Sequence, residues 1–183
     1  GLLFYCGLAF SQSGATQVNI NCSGPAITIA NNTATVVDPD ITLTANGNIT
    51  GMVVSITNSY TIGDLLGYDG SLPAGVSASA FNINTRSLVF SGTTSAANWQ
   101  DLMRRVTLRT TSATCFPEKR SVTFTVGEKY YNPLNGHFYE YYASSLNWKN
   151  AKTHAASQSY FGRAGYLATS TSEAENNFIW KIM

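Results

Sequence analysis

The sequence predicts a mainly β protein, an antiparallel β-sandwich followed by a smaller α+β unit. Three observations carry that expectation. Short runs of β-branched and aromatic residues recur through residues 18–126, separated by turn residues. After about residue 130 the apolar spacing changes from strand-like to helical. Charged residues are only 11% of the chain, against roughly 25% in ordinary globular proteins. The polarity comes instead from Ser, Thr, Asn and Gln, a composition that fits extracellular β modules.

The strand-like runs are "AITIANNTATVVD" (26–38), "GMVVSITNSY" (51–60), "RSLVFSG" (86–92) and "RSVTFTVGE" (120–128). The turn chemistry between them lies in "DPD", "ANGN", "DGSLPAG" and "NINTR". One helix interrupts the strands. In "SAANWQDLMRRVTL", Trp99, Leu102, Met103 and Val106 fall on one helical face, with Ser95 as N-cap. The sandwich is expected over 18–126. "GEKYYNPLNGHFYEYY" marks a boundary, with a short junction from Gly127 to Pro133, so the two units are expected to touch or to sit at a fixed angle.

The formal net charge is +1, with no long run of one sign. Nothing in that balance calls for a nucleic-acid backbone or an acidic membrane surface. Leu2 to Phe10 is an uncharged apolar run followed by small polar residues. It reads as the hydrophobic region of a secretory signal, with residues 1–14 as its remnant, or else as a buried strand. It is too short to span a bilayer. Export leaves Cys22 and Cys115, which are expected to pair, with two buried thiols as the alternative. A disulfide closing a loop of roughly ninety residues stabilises by about 4–5 kcal/mol in the chain-entropy treatment. There is no Cys-x-x-Cys, and His137 and His154 stand alone, so zinc is not expected.

Asp38 and Asp40 are weak candidates for a calcium site, because paired acidic groups can offer oxygen ligands. Asp-Pro-Asp is also a good turn by itself, and turn chemistry is the preferred reading there and at Asp64 and Asp69. Asn21, Asn31 and Asn48 lie in Asn-x-Ser/Thr sequons.

The order "VVDPD" (36–40), "LPAG" (72–75), "GTTSAANWQ" (92–100) and "RSVTFTV" (120–126) resembles the cadherin-like repeats of large bacterial surface proteins. That resemblance covers most of residues 26–126 and implies a spacer or adhesive stalk module.

In the last stretch, "GHFYEYYAS" is strand-like, with Tyr139 and Tyr141 in it. "SLNWKNAKTHAASQ" places Trp148, Ala151 and Ala155 on one helical face, beside Leu146, with Ser144 or Ser145 as cap. "GRAGYLATSTS" supplies a break and an extended piece. "TSEAENNFIW" opens a second helix, with Ser172 as N-cap, Glu175 at the capping-box position, and Phe178 and Ile179 facing inward. Trp148, Ala151, Gly165, Leu167, Ala168, Thr169, Ser172, Glu175, Asn176, Phe178 and Ile179 together resemble the start of a C-type lectin-like domain, over about residues 130–183. A cysteine usual in that family's first helix is replaced at about Ala155. The resemblance implies roughly the first half of such a domain, and its calcium- and sugar-binding motifs would lie beyond Met183. The matching residues Trp148, Ala151, Leu167, Phe178 and Ile179 are then core candidates. Glu173 and Glu175 read as an acidic first helical turn rather than as acid/base groups.

The resulting expectation is a secreted or cell-surface carbohydrate-binding adhesin. A β-sandwich stalk carries a lectin-like unit, with neighbouring modules in a longer chain and calcium as a possible cofactor of the complete protein. The alternative is a structural or adhesive protein whose lectin-like unit binds protein. An enzyme is not expected, since no pair of positioned carboxylates or nucleophile–base arrangement is recognisable.

Overall fold

A computed structural model describes residues 18–23, 27–112, 119–127, 129–132, 134–160 and 163–183. The signal segment (1–14) and Cys115 lie outside these residues.

The first unit is built from β1 (Val18–Asn21), β2 (Thr35–Val36), β3 (Thr42–Ala45), β4 (Ile49–Asn58), β5 (Asp64–Tyr68), β6 (Ser77–Ala78), β7 (Ser87–Thr94), α1 (Ala96–Met103), β8 (Val106–Thr110) and β9 (Ser121–Val126). The strands form a four-stranded sheet in the order β6-β7-β4-β9, a three-stranded sheet in the order β2-β8-β5, and a pair β1-β3. Every one of these ladders is antiparallel. The mainly β class expected from the sequence is the class observed.

Period-2 alternation explains why the sheets share one core. Met52, Val54 and Ile56 of β4 point the same way as Leu88 and Phe90 of β7 and Val122, Phe124 and Val126 of β9. Leu66 of β5 with Val106 and Leu108 of β8 join them from the other sheet. Burying each such side chain favours folding by about 1.5–3 kcal/mol.

Helix α1 is pinned to this core by three long-range bonds. The Trp99 indole N–H donates to the Ile49 carbonyl at 2.9 Å, Gln100 Oε1 accepts from the Leu43 amide at 3.0 Å, and Arg104 Nε donates to the Ile41 carbonyl at 2.9 Å. Ser95 caps the helix by accepting from the Asn98 amide. Trp99, Leu102 and Met103 are buried as the helical spacing predicts. Val106 is not on that face, because the chain has already turned into β8. The run 26–38 is also less regular than expected. Among its described residues it gives only an isolated bridge at Asn31 and the two-residue β2.

The residues that carry the repeat-like pattern have identifiable structural tasks. Asp38 is buried, and its carboxylate accepts from the Ser23 amide, the Ser23 hydroxyl and the Asp40 amide. Gly75 of the Leu-Pro-Ala-Gly turn presses its carbonyl on β7, where any side chain at Gly92 would come within 2.1 Å of it. Gly92 also has φ 129°, which a side chain disfavours. Arg120 reaches from the start of β9 to Asp64, which is fully buried, at 3.0 Å. Asp64 also accepts from the Thr61 amide at 2.9 Å, so it is both a turn cap and half of a buried ion pair, rather than only a turn residue.

The second unit comprises β10 (Tyr130–Asn132), β11 (His137–Tyr139), α2 (Trp148–Ser157), β12 (Ser159–Tyr160), β13 (Arg163–Ala164) and α3 (Glu173–Ile182). β10 and β11 form an antiparallel hairpin, as do β12 and β13. The strand expected over 136–144 stops at Tyr139, since beyond it the backbone finds no ladder partner among the described residues. Asn147, not Ser144 or Ser145, caps α2 by accepting from the Asn150 amide.

Candidate functional site

The second unit carries the residues that resemble the lectin-like family, although that family's binding motifs would lie beyond Met183. Its hairpin is set by local Asn chemistry: Asn132 Oδ1 accepts from the Leu134 amide, and Asn135 Oδ1 accepts from the His137 amide. This turn aims Tyr139 at the first turn of α3. There the Tyr139 hydroxyl donates to Glu175 Oε1 at 2.5 Å, and Asn135 Nδ2 donates to the same oxygen at 3.3 Å. Glu175 Oε2 accepts from the Thr171 amide at 2.9 Å and the Thr171 hydroxyl at 2.8 Å. Ser172 caps the helix as expected, accepting from the Glu175 amide at 3.1 Å. The Glu175 side chain does not close a capping box on Ser172, because Thr171 and Tyr139 offer it better donors.

The electrostatics follow from those bonds. Donation by Tyr139 first, then by Thr171, stabilises the ionised carboxylate and holds Glu175 down at about 2. Burial, and then its bond to Glu175, pushes Tyr139 up to about 12. A carboxylate with this affinity for protons is a weak general base. Glu175 therefore fastens the hairpin to α3, and Glu173 beside it is exposed.

Around this clamp lies a dense set of aromatic rings. Tyr131 meets Phe138 at 5.1 Å, Phe138 meets Tyr160 edge-on at 5.0 Å, and Tyr139 meets Phe178 at 5.4 Å. Tyr166 stands edge-on to His137, and its hydroxyl lies 3.1 Å from the His137 Nδ1. Tyr142 stacks on His154 at 4.2 Å, and Lys152 sits 5.3 Å over the Trp148 ring. Several of the rings face solvent: Trp148 is 69% exposed and Trp180 68%, and Tyr141, Tyr142 and Tyr166 are exposed as well. The core candidates of this unit are correspondingly not core. Trp148 is exposed, and Ala151, Leu167, Phe178 and Ile179 are only partly covered. Helical spacing identified apolar faces, but among the described residues they are covered only in part, as where Tyr139 lies on Phe178. Such faces can stack on the apolar side of a sugar ring or on another aromatic surface.

Gly165 shows how closely the unit is folded on itself. Its amide donates to the Gln158 carbonyl, and a side chain there would lie 2.5 Å from the Ala155 carbonyl at the end of α2.

The second unit is docked on the first. The Tyr160 hydroxyl donates to the Val126 carbonyl at the end of β9. Lys129 pairs with Glu140 at 2.5 Å and lies over the Tyr160 ring. The Gly127 amide donates to the Gly51 carbonyl of β4 at 3.0 Å. The Tyr160 bond to Val126 is thus a contact between the two stretches of chain.

Of the other sequence candidates, Cys22 is half-buried against the core of the first unit, and Cys115 lies outside the described residues. Asp38 and Asp40 share a turn, Asp38 spending both oxygens on Ser23 and Asp40 amides or hydroxyl while Asp40 is exposed. Among the described residues, no group of three His, Cys, Asp or Glu side chains could hold a metal ion. Likewise, none of their helices is long and apolar enough to cross a membrane. Sequence reading missed the Tyr139–Glu175 clamp, the Tyr160 contact and the Asp64–Arg120 pair. The Thr171-Ser172-x-x-Glu175 spacing was a visible signal for the first of these.

No protein-family model matches the chain. No solved structure matches it either. The chain is 30% identical over 179 residues to halomucin of Haloquadratum walsbyi, an alignment covering 93% of this chain and 2% of that protein. The chain thus spans about one fiftieth of the length of the curated relative it matches, and it is similar to one stretch of halomucin.

Proposed function

We propose that this chain belongs to an extracellular surface or adhesive protein, in which a β-sandwich spacer presents a C-type lectin-like unit that binds carbohydrate. The observation that carries the reading is the aromatic surface of the second unit. Trp148, Tyr141, Tyr142 and Tyr166 are exposed in a unit whose motif order resembles the lectin-like family. Flat exposed rings suit the apolar faces of sugars, and clustered exposed aromatics mark interaction surfaces more generally. The resemblance of the first unit to cadherin-like repeats supports the spacer role. Similarity to a protein named as a mucin supports a place at or outside the cell surface.

A glycan array with the natural, full-length protein, run with and without chelator, tests the proposal. Binding to a defined sugar class is expected, and its loss with chelator would assign calcium to the complete protein. No glycan binding under either condition, together with recovery of a protein partner through the same unit, would replace the lectin reading with an adhesive scaffold that binds protein.

A further inference from the structure

We infer that Asn48 is a site of N-linked glycosylation. The inference rests on the export proposed above, and its test separates the two. Three Asn-x-Ser/Thr sequons begin at Asn21, Asn31 and Asn48, and all three Asn side chains are exposed. Transfer needs the amide nitrogen and the hydroxyl two residues on to be presented together to an enzyme. The folded protein does not offer the three sequons equally.

In the first sequon Asn21 is in β1, paired with Thr42, and Ser23 is spent. Its amide and hydroxyl both donate to the Asp38 carboxylate, at 2.9 and 2.5 Å. In the second, the Thr33 amide donates to the Ala30 carbonyl, Asn32 between the two sequon residues has φ 58°, and Asn31 itself is bridged to Thr110. That tight turn must open before an enzyme can read it. In the third, Asn48 stands in the turn between β3 and β4, exposed, and Thr50 is exposed at the edge of its ladder. Among the described residues the Thr50 hydroxyl is partnered by the equally exposed Thr93 hydroxyl, at 3.0 Å, and water can replace that bond at little cost.

The chemistry is a substitution at the anomeric carbon of a lipid-linked oligosaccharide diphosphate. The Asn48 Nδ2 forms the bond to C1 and the C1–O bond breaks. The electron pair leaves with the lipid diphosphate, and one Nδ2 proton passes to the transferase. The product is a bulky, solubilising group joined through a neutral amide. Its location gives it a further role. A side chain at Gly127 would lie 3.9 Å from both the Thr50 carbonyl and the Tyr160 ring, so the third sequon adjoins the place where the two units meet. A glycan on Asn48 stands as a collar at that junction.

The test is peptide mass spectrometry of the protein from its natural source, with cell fractionation of the same sample. The first Lys or Arg of the chain is Arg86, so trypsin leaves all three sequons together, whereas cleavage before Asp isolates Asn48 in the peptide Asp40–Gly63. The expected result is a glycan-sized mass increment on that peptide. The increment is lost in Asn48→Gln and in Thr50→Val but kept in Thr50→Ser. An exported protein with an unmodified Asp40–Gly63 peptide, or with the increment only on the peptide ending at Val37, overturns the site. Recovery of the protein only from the cytoplasm overturns the export reading, and the site with it.

Discussion

Trp99 and Trp148 are the same side chain in two settings, and the contrast between them describes the whole molecule. Trp99 is fully buried in the first unit, its indole N–H bonded to the Ile49 carbonyl. Trp148 opens a helix of the second unit that has no buried residue at all. The first unit draws its stability from a continuous apolar core to which both main sheets and α1 contribute. The second is held by polar fastenings, a Tyr–Glu–Thr clamp and a hydroxyl contact to its neighbour, with its aromatic faces left open. A buried core gives stability but no recognition surface, and open aromatic faces give the reverse.

The sharpest test of that contrast is the same substitution in both places. Trp99→Ala should destabilise the first unit by about 3–5 kcal/mol, from the lost transfer energy, the cavity left behind and the orphaned Ile49 carbonyl. Trp148→Ala should change stability by less than about 0.5 kcal/mol, as surface substitutions usually do. Denaturant unfolding followed by circular dichroism reads both. Equal costs would break the comparison.

Ion pairs repeat the pattern. Arg120→Ala leaves the fully buried Asp64 carboxylate without its cation and should cost about 3–5 kcal/mol. Lys129→Ala removes a partner from the partly exposed Glu140 and should cost no more than about 1 kcal/mol. Unfolding midpoints of the two variants decide the matter. A large effect at Lys129 would mean that the junction carries more of the stability than its exposure allows.

What could be read from the sequence, and what could not, divides along the same line. The β class, the buried face of α1 and the caps at Ser95 and Ser172 are local, and periodicity or spacing within a few residues exposes them. The bonds that fix the fold are not local. Asp64 meets Arg120 across 56 positions, Gln100 meets Leu43 across 57, and Tyr160 meets Val126 across 34. No window of sequence contains both partners. Helical spacing likewise announced apolar faces at Trp148 and Phe178 but could not say whether anything lies over them. Asp64 misled for a related reason: it does cap a turn, and its second task depends on a strand far along the chain.

Acid should loosen the second unit before the first. The Glu175 carboxyl ordinarily titrates at 4.5 and in the folded protein at about 2, so the unfolded state binds the proton first. Its contribution is therefore complete above the ordinary value and is lost as pH falls from there through about 2. Tyr139 acts at the other extreme: held up at about 12 against 10.0, it contributes fully below 10 and loses that contribution as pH rises through 12. Near-ultraviolet circular dichroism, dominated here by the aromatic second unit, should change below about pH 4.5 while the far-ultraviolet β signal persists. In Glu175→Gln that acid transition should disappear. Its survival in the variant would assign the transition to other carboxylates and remove the clamp from the account.

A modest effect is expected at the contact that joins the two regions. Tyr160 donates its hydroxyl to the Val126 carbonyl, and burial, helped by the Glu140 charge, pushes its proton affinity well above that of an ordinary phenol. The hydroxyl thus remains a donor throughout the neutral and mildly alkaline range. Tyr160→Phe removes the donor while keeping the ring on Phe138, so the cost should be that of one hydrogen bond, about 0.5–1.5 kcal/mol. Because the lost bond lies between the units, the unfolding of the first unit should hardly change. The loss should instead appear as faster amide hydrogen exchange at Gly127 and across β10, and as earlier proteolysis within the junction. Tyr160→Ala should go further in the same direction, since it also takes away the ring that Phe138 and Lys129 rest on. If neither variant alters exchange at the junction, the Tyr160 bond does not help to hold the two units together.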